Sequence, residues 1–255
     1  MTTTLTTDAW LDDWAHWHAD REAAAAAPHG LASTTGTHWL DAEPTELPTV
    51  SGAWSAADGR VVGTDVGTGA ADVRLAPGES LELDDLRLLA ISRDGVLALR
   101  VLDPAAPTRA AFDGIDAFDP DRAWSLVGRF TPAAEQATVT IDNVDGRRGP
   151  QALAGTVHVT IDGHEAALSA FPAANGGLQI TFADATSGTT TNRFRFLTLP
   201  APSADGTVAV DLNRAYLPPC AFTDHYLCPV PPPENRLPVA VPVGETLVRT
   251  TPGRD

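Results

Sequence analysis

The 255-residue chain contains no lysine: all 17 of its basic residues are arginine. That absence excludes a Schiff-base lysine and covalent attachment of pyridoxal phosphate. Only two cysteines occur, Cys220 and Cys228, so the fold is not a disulfide scaffold. No apolar run approaches the roughly 18–20 residues a membrane helix needs. The 33 acidic residues leave a net charge of −16 and no clustered basic face. A nucleic-acid partner held by phosphate neutralisation is therefore not expected, nor is an anionic membrane surface. The usual catalytic signatures are missing as well. There is no G-x-S-x-G elbow, P-loop, H-E-x-x-H or dinucleotide fingerprint.

What is present points to strands. Glycine and proline number 21 each, and turn dipeptides recur through the chain. Asp58-Gly59, Pro77-Gly78, Asp94-Gly95 and Asp162-Gly163 each separate short runs rich in Val, Leu, Ile and Thr. Strands are expected about every ten residues, the last at Val239–Val243, as in sandwiches and barrels. The exception is the N-terminus. Trp10, Leu11, Trp14 and Trp17 share one face of a 3.6-residue period, Thr7 is positioned as N-cap, and Pro28-His29-Gly30 ends the run. The expectation is a mainly β protein: an N-terminal α-helix over residues 1–30 packed on two sandwich- or barrel-like units, 31–110 and 111–255, that share a core. The first ten residues lack the charged and apolar regions of a signal peptide, so a cytoplasmic chain is expected.

His16, His18, His29 and His38 invite a metal reading. His16 and His18, however, point roughly 200° apart on a helix and cannot easily share an ion. The chemistry-bearing residues concentrate near the C-terminus instead. Asp211 to Leu237 follows a predicted strand and holds six prolines with both cysteines. Prolines fix φ and lower the entropy lost on ordering, so such a loop can hold side chains in place. Cys220, His225 and Cys228 offer three soft or borderline ligands, which suit zinc; the same spacing also fits two buried thiols or a disulfide closing a short loop. Asp211, Asn213, Arg214, Asn235, Arg236 and Glu245 form a polar constellation. It serves either to tie down the loop internally or to hold an acidic ligand in the arginine forks. Asp211 with Glu245 or His225 is the candidate acid/base pair for hydrolysis. Upstream, Asp184 to Leu197 reads as a strand end, a Thr/Asp/Gly turn and a returning strand carrying Arg195.

These segments resemble one family. The run Asp211-Leu-Asn-Arg-Ala-Tyr-Leu-Pro-Pro-Cys-Ala-Phe-Thr223, then Cys228-Pro-Val-Pro-Pro-Pro-Glu-Asn-Arg-Leu237, then Gly244-Glu245, is similar to the signature of domain of unknown function family 1684. Asp184 to Thr191 and Arg195-Phe-Leu197 match its upstream part, and weaker echoes begin near residue 10. Leu212 and Leu217 replace the family's usual Phe and Asn, and Asn192 lies near where a Tyr is usual. The resemblance implies a bacterial or archaeal protein but no reaction or cofactor; it implies that the two C-terminal segments meet in space.

Three readings follow. The first is a cytoplasmic binding protein for an acidic small molecule, lined by Arg195, Asn213, Arg214, Tyr216, Asn235 and Arg236. The second is a hydrolase or lyase using Cys220, His225 or a metal held there. The third is a structural or interaction protein with no small-molecule site.

Overall fold

The computed structural model describes residues 7–67, 72–93 and 95–251. The Thr7 side chain, Asp94 and the first six residues lie outside what is described, and with them the expected N-cap, half of the Asp94-Gly95 turn and most of the segment read for a signal peptide. The protein is mainly β, with one long helix, α1 (Thr7–Ala26), at its start. No described helix is long and apolar enough to cross a membrane.

The chain divides into two compact units. Of the described residues, the smaller comprises those within 23–112 and 222–226, with residue 251. It holds β1 (Thr34–Trp39), β2 (Thr45–Leu47), β3 (Val50–Ala57), β4 (Arg60–Thr64), β5 (Asp72–Leu75), β6 (Ser80–Leu83), β7 (Leu86–Arg93) and β8 (Val96–Leu102). These make two four-stranded antiparallel sheets, β1-β8-β7-β6 and β2-β3-β4-β5. Asp58 and Gly59 both take positive φ, 52° and 71°, which matches the right-handed twist of the β3–β4 hairpin. Pro77-Gly78 turns the chain from β5 into β6, which lies in the other sheet; Gly78 at φ 90° supplies the conformation a type II turn requires. Trp54, Val61, Val66, Leu88, Leu99 and Val101 fill a core of this unit's own. Helix α2 (Pro107–Ala111) follows, with Pro107 at its first turn.

Of the described residues, the larger unit comprises 7–22, 113–221 and 227–250. Its strands are β9 (Phe112–Ala117), β10 (Ser125–Pro132), β11 (Thr138–Asp142), β12 (Arg148–Ala152), β13 (Gly155–Ile161), β14 (His164–Pro172), β15 (Leu178–Phe182), β16 (Arg195–Leu199), β17 (Thr207–Asp211) and β18 (Glu245–Thr250). Six of them form one curled antiparallel sheet in the order β16-β15-β14-β13-β10-β17. Its two edges are joined because the chain leaving β17 returns at Tyr216, which exchanges both backbone hydrogen bonds with Phe196 on β16. Inward residues alternate with outward ones, as the pleat demands: on β13, Val157, Val159 and Ile161 are buried while His158 and Thr160 face out. Ile180, Phe182, Leu197, Leu199, Val208 and Val210 complete the inner layer.

Two expectations fail locally. The 3.6-residue period puts Leu11 on the tryptophan face, yet it is 40% exposed. The inward stripe instead runs through Trp10, Trp14, Trp17, His18 and Arg21, with the long arginine stem taking the place of an aliphatic residue. Val239–Val243 is not a strand. The carbonyls of Val241 and Val243 turn inward to a buried guanidinium, so they are not available to a sheet ladder.

Candidate functional site

The polar constellation is real, and most of it faces the interior of the larger unit. Arg195, on β16, is completely buried. Its Nη2 donates to Asp184 Oδ2 at 2.5 Å and to the carbonyl of Val241 at 2.9 Å. Nη1 donates to the carbonyls of Val243 at 2.6 Å and Glu245 at 3.3 Å. Burial pulls this guanidinium down from its ordinary pKa; the Asp184 carboxylate and Glu245 push the other way. Four acceptors around a planar fork hold it charged. Asp184 also accepts from the N–H and hydroxyl of Thr186, so its turn and the arginine are locked together.

Asn213 and Asn235 are equally enclosed, both fully buried. Asn213 Oδ1 accepts from the Asp121 N–H at 2.8 Å, and Nδ2 donates to the Asp121 carbonyl and to Asp211 Oδ1. Its own carbonyl accepts from Trp14 Nε1 at 2.9 Å, which seats α1. Asn235 works where β14 and β15 part company. Its Oδ1 accepts from the Ser169 N–H, and its Nδ2 donates to the carbonyls of Ser169 and Thr181, each bond 2.8–2.9 Å long. One side-chain amide thus substitutes for missing ladder bonds. Glu245, buried, receives Arg21 through both oxygens at 2.8 Å and accepts from the Leu217 N–H at 2.7 Å.

The remaining expected residues are more open. Arg214 is half-buried, ion-paired with Asp13 and laid over the Trp17 ring. Tyr216 carries the Arg21 guanidinium 4.6 Å from its ring centre and shares its hydroxyl with Thr198 and Gln179. Arg236 is exposed, with its backbone in a parallel bridge to Ala183. The signature therefore does meet in space, as a set of internal clamps around α1, β16 and the C-terminal loop.

The expected acid/base pair is spent in the same way. Asp211 accepts from Ser125 and Asn213, and Glu245 is saturated by Arg21 and Leu217. His225 is exposed, and its carbonyl accepts from Thr37 within the smaller unit. Among the described residues no three His, Cys, Asp or Glu side chains gather as a metal would require, and the structure does not bring Cys220, His225 and Cys228 together as such a group.

An open site lies elsewhere, on the outer face of the curled sheet. A trough of about 560 Å³ runs over β10, β13, β14 and the start of β17. Register explains its lining. Thr207, Arg129, His158 and Ala167 form one row across four strands, each directly opposite the next. Val127, 72% exposed, and Thr160 stand two residues further along their strands, and Thr160 faces Glu165. Gly128, with no side chain, and Ala167, with a single methyl group, keep the floor low. Arg129 Nη1 donates to the Asp205 carbonyl at 3.1 Å, and its charge also attracts the Asp205 carboxylate; after the hydrogen bonds from Thr207, this is the last of several causes that lower that carboxyl's pKa. Arg129, His158 and Glu165 were not singled out from the sequence. The alternation of β13 exposes His158, but the pairing that brings Arg129 beside it joins strands separated by a whole hairpin.

The fold and the clamps define a class: a mainly β protein whose Asn-Arg and Cys-Pro segments knit an N-terminal helix and a curled sheet together. Residues 110–246 match the model of the DUF1684 family, described as a protein of unknown function, and the chain belongs to that family. The weaker echoes before residue 110 lie outside the matched region. A solved structure, the solution NMR structure of an uncharacterised protein of Haloarcula marismortui, is similar at 29% identity over 55% of this chain and 77% of that one, with a TM-score of 0.44. No curated protein matches.

Proposed function

We propose that this protein binds a small acidic molecule, and that the ligand lies in the trough on the outer face of the curled sheet. The observation that carries the reading is the directly opposed pair of Arg129 and His158 inside that trough. Arginine offers a planar fork for a carboxylate or phosphate, and the neighbouring imidazole and the hydroxyls of Thr160 and Thr207 add donors around it. Val127 and Ala167 give the ligand's apolar part a surface, and Glu165 stands at the far side as an acceptor for a hydroxyl or amine. The trough's size falls within the range of small-ligand sites, and its lining is more polar than apolar, which suits a charged ligand. Of the arginines in the family signature, Arg195 and Arg214 are the weaker place for an anion, because they already hold carboxylates.

The test is a calorimetric and thermal-shift survey of mono- and dicarboxylates and phosphate esters. At least one class is expected to bind, with affinity falling about tenfold or more in Arg129→Gln, in line with the loss of a charge-assisted hydrogen bond. Arg236→Gln is expected to bind as the wild type does. Binding that survives both Arg129→Gln and His158→Gln, or no binding across the survey, overturns the reading.

A further inference from the structure

We infer that Cys220 and Cys228 are a dithiol–disulfide couple, a site of reversible covalent modification at the neck of the loop they bracket. The inference is independent of the ligand reading, since no trough residue takes part.

The carrying observation is a contact across eight residues. The Cys220 N–H donates to Cys228 Sγ at 3.3 Å. The N–Cα bond adds about 1.5 Å, so Cys228 Sγ lies within about 5 Å of the Cys220 Cα. In a disulfide the Cα–Cβ–Sγ–Sγ chain runs from one cysteine's Cα to the other's sulfur, a reach comparable with this separation, so turning the Cys220 side chain toward Cys228 is the movement closure requires.

Both backbones are already held. Cys220 sits in a single 3-10 turn, Pro219–Ala221, closed by the Ala221 N–H on the Pro218 carbonyl. The Cys228 carbonyl accepts from the Val144 N–H at 3.1 Å, and Val230 donates to the Asp142 carbonyl at 2.8 Å, fastening the loop's return to the β11–β12 hairpin. Prolines at 218, 219, 229 and 231 stiffen both arms. Ring closure therefore orders little that is not ordered already.

Burial sets the sequence of events. Cys220 is half-exposed and Cys228 is buried. A low-molecular-weight disulfide meets Cys220 first. The Cys220 thiolate attacks one sulfur of that disulfide, forming a mixed disulfide and releasing one thiol. Cys228, deprotonated, then attacks Cys220 Sγ and expels the second thiol. The chain loses two electrons and two protons, and the small disulfide gains them as two thiols. Residues 222–226, which carry Phe222 and Tyr226, become part of a closed ring.

The experiment uses the full chain in glutathione buffers of graded oxidised-to-reduced ratio. Samples are quenched by alkylation and read by intact and peptide mass spectrometry. The expected result is joint loss of both alkylation sites, a mass lower by two hydrogens, a 220–228 linked peptide, and full reversal by reduced glutathione. The oxidised form is expected to melt about 5 °C higher, as closing a short loop implies. Cys228→Ser is expected to stop at the glutathione adduct on Cys220. If the wild type also stops at that adduct, or both thiols stay alkylatable in excess oxidised glutathione, the inference fails. The wild-type mass readout decides the matter even where a variant does not fold.

Discussion

Asp184 and Arg195 show how a buried charge is kept by its surroundings. Each has a fully enclosed side chain, and the arginine depends on the one carboxylate and three carbonyls. Asp184→Asn leaves the guanidinium in the interior without its anion and is expected to cost about 3–5 kcal/mol in urea unfolding. A paired replacement of both residues by apolar ones of similar volume should cost less than that single change. His38 makes a pH-dependent contribution. Burial lowers its pKa below the ordinary 6.5, and the nearby His225 lowers it further. The native state thus resists a proton that the unfolded chain accepts. Stability from this group is complete above pH 6.5 and is lost as pH falls from there toward the folded-state value. Melting curves between neutral pH and about 5 should show a smaller acid-side decline in His38→Gln than in the wild type.

At the scale of elements, α1 is held by aromatic and charged side chains on one face. Trp14 donates to the Asn213 carbonyl and stacks on His18, with ring centres 5.2 Å apart, and Arg21 reaches buried Glu245. Trp14→Ala is expected to cost about 2–4 kcal/mol, below the cost for a fully buried tryptophan because this one is half-exposed. Leu11→Ser, on the opposite face, should fall within about 0.5 kcal/mol of the wild type; chemical denaturation of both variants makes the comparison. The helix was legible from its tryptophan spacing and its Pro-His-Gly stop. The orientation of Leu11 was not, because hydrophobicity alone groups it with Trp10, whereas Asn213 and Glu245 decide which face turns inward. Asp58-Gly59 and Asp162-Gly163 were read correctly as hairpin turns because their backbone needs are local. The β12 strand was not, because Arg-Gly-Pro-Gln-Ala carries no strand pattern of its own and pairs with the neighbouring β11 in spite of Pro150; the irregular 239–243 segment was not, because the distant Arg195 takes its carbonyls.

Across the whole molecule, charge and topology act on different properties. A net charge of −16 with arginine as the sole strong cation makes self-repulsion the dominant long-range term. Raising NaCl from about 10 mM to about 300 mM shrinks the Debye length from roughly 30 Å to less than 10 Å. The melting temperature is expected to rise over that range in differential scanning calorimetry; a flat or falling response would show that specific surface ion pairs outweigh the repulsion. The long-range field and the mainly β class were set by composition and by period-two patterning, both of which are sums over local sequence. The conformations of the hairpin turns were set there too, since φ > 0 is a property of one or two residues. Tertiary structure alone decided that Arg195, Asn213, Asn235 and Glu245 are internal clamps, because their partners come from separate strands and turns of the larger unit. It alone placed Arg129 beside His158 and the Cys220 amide against the Cys228 sulfur. Those neighbours are made by strand register and loop return, which single-chain periodicity does not encode.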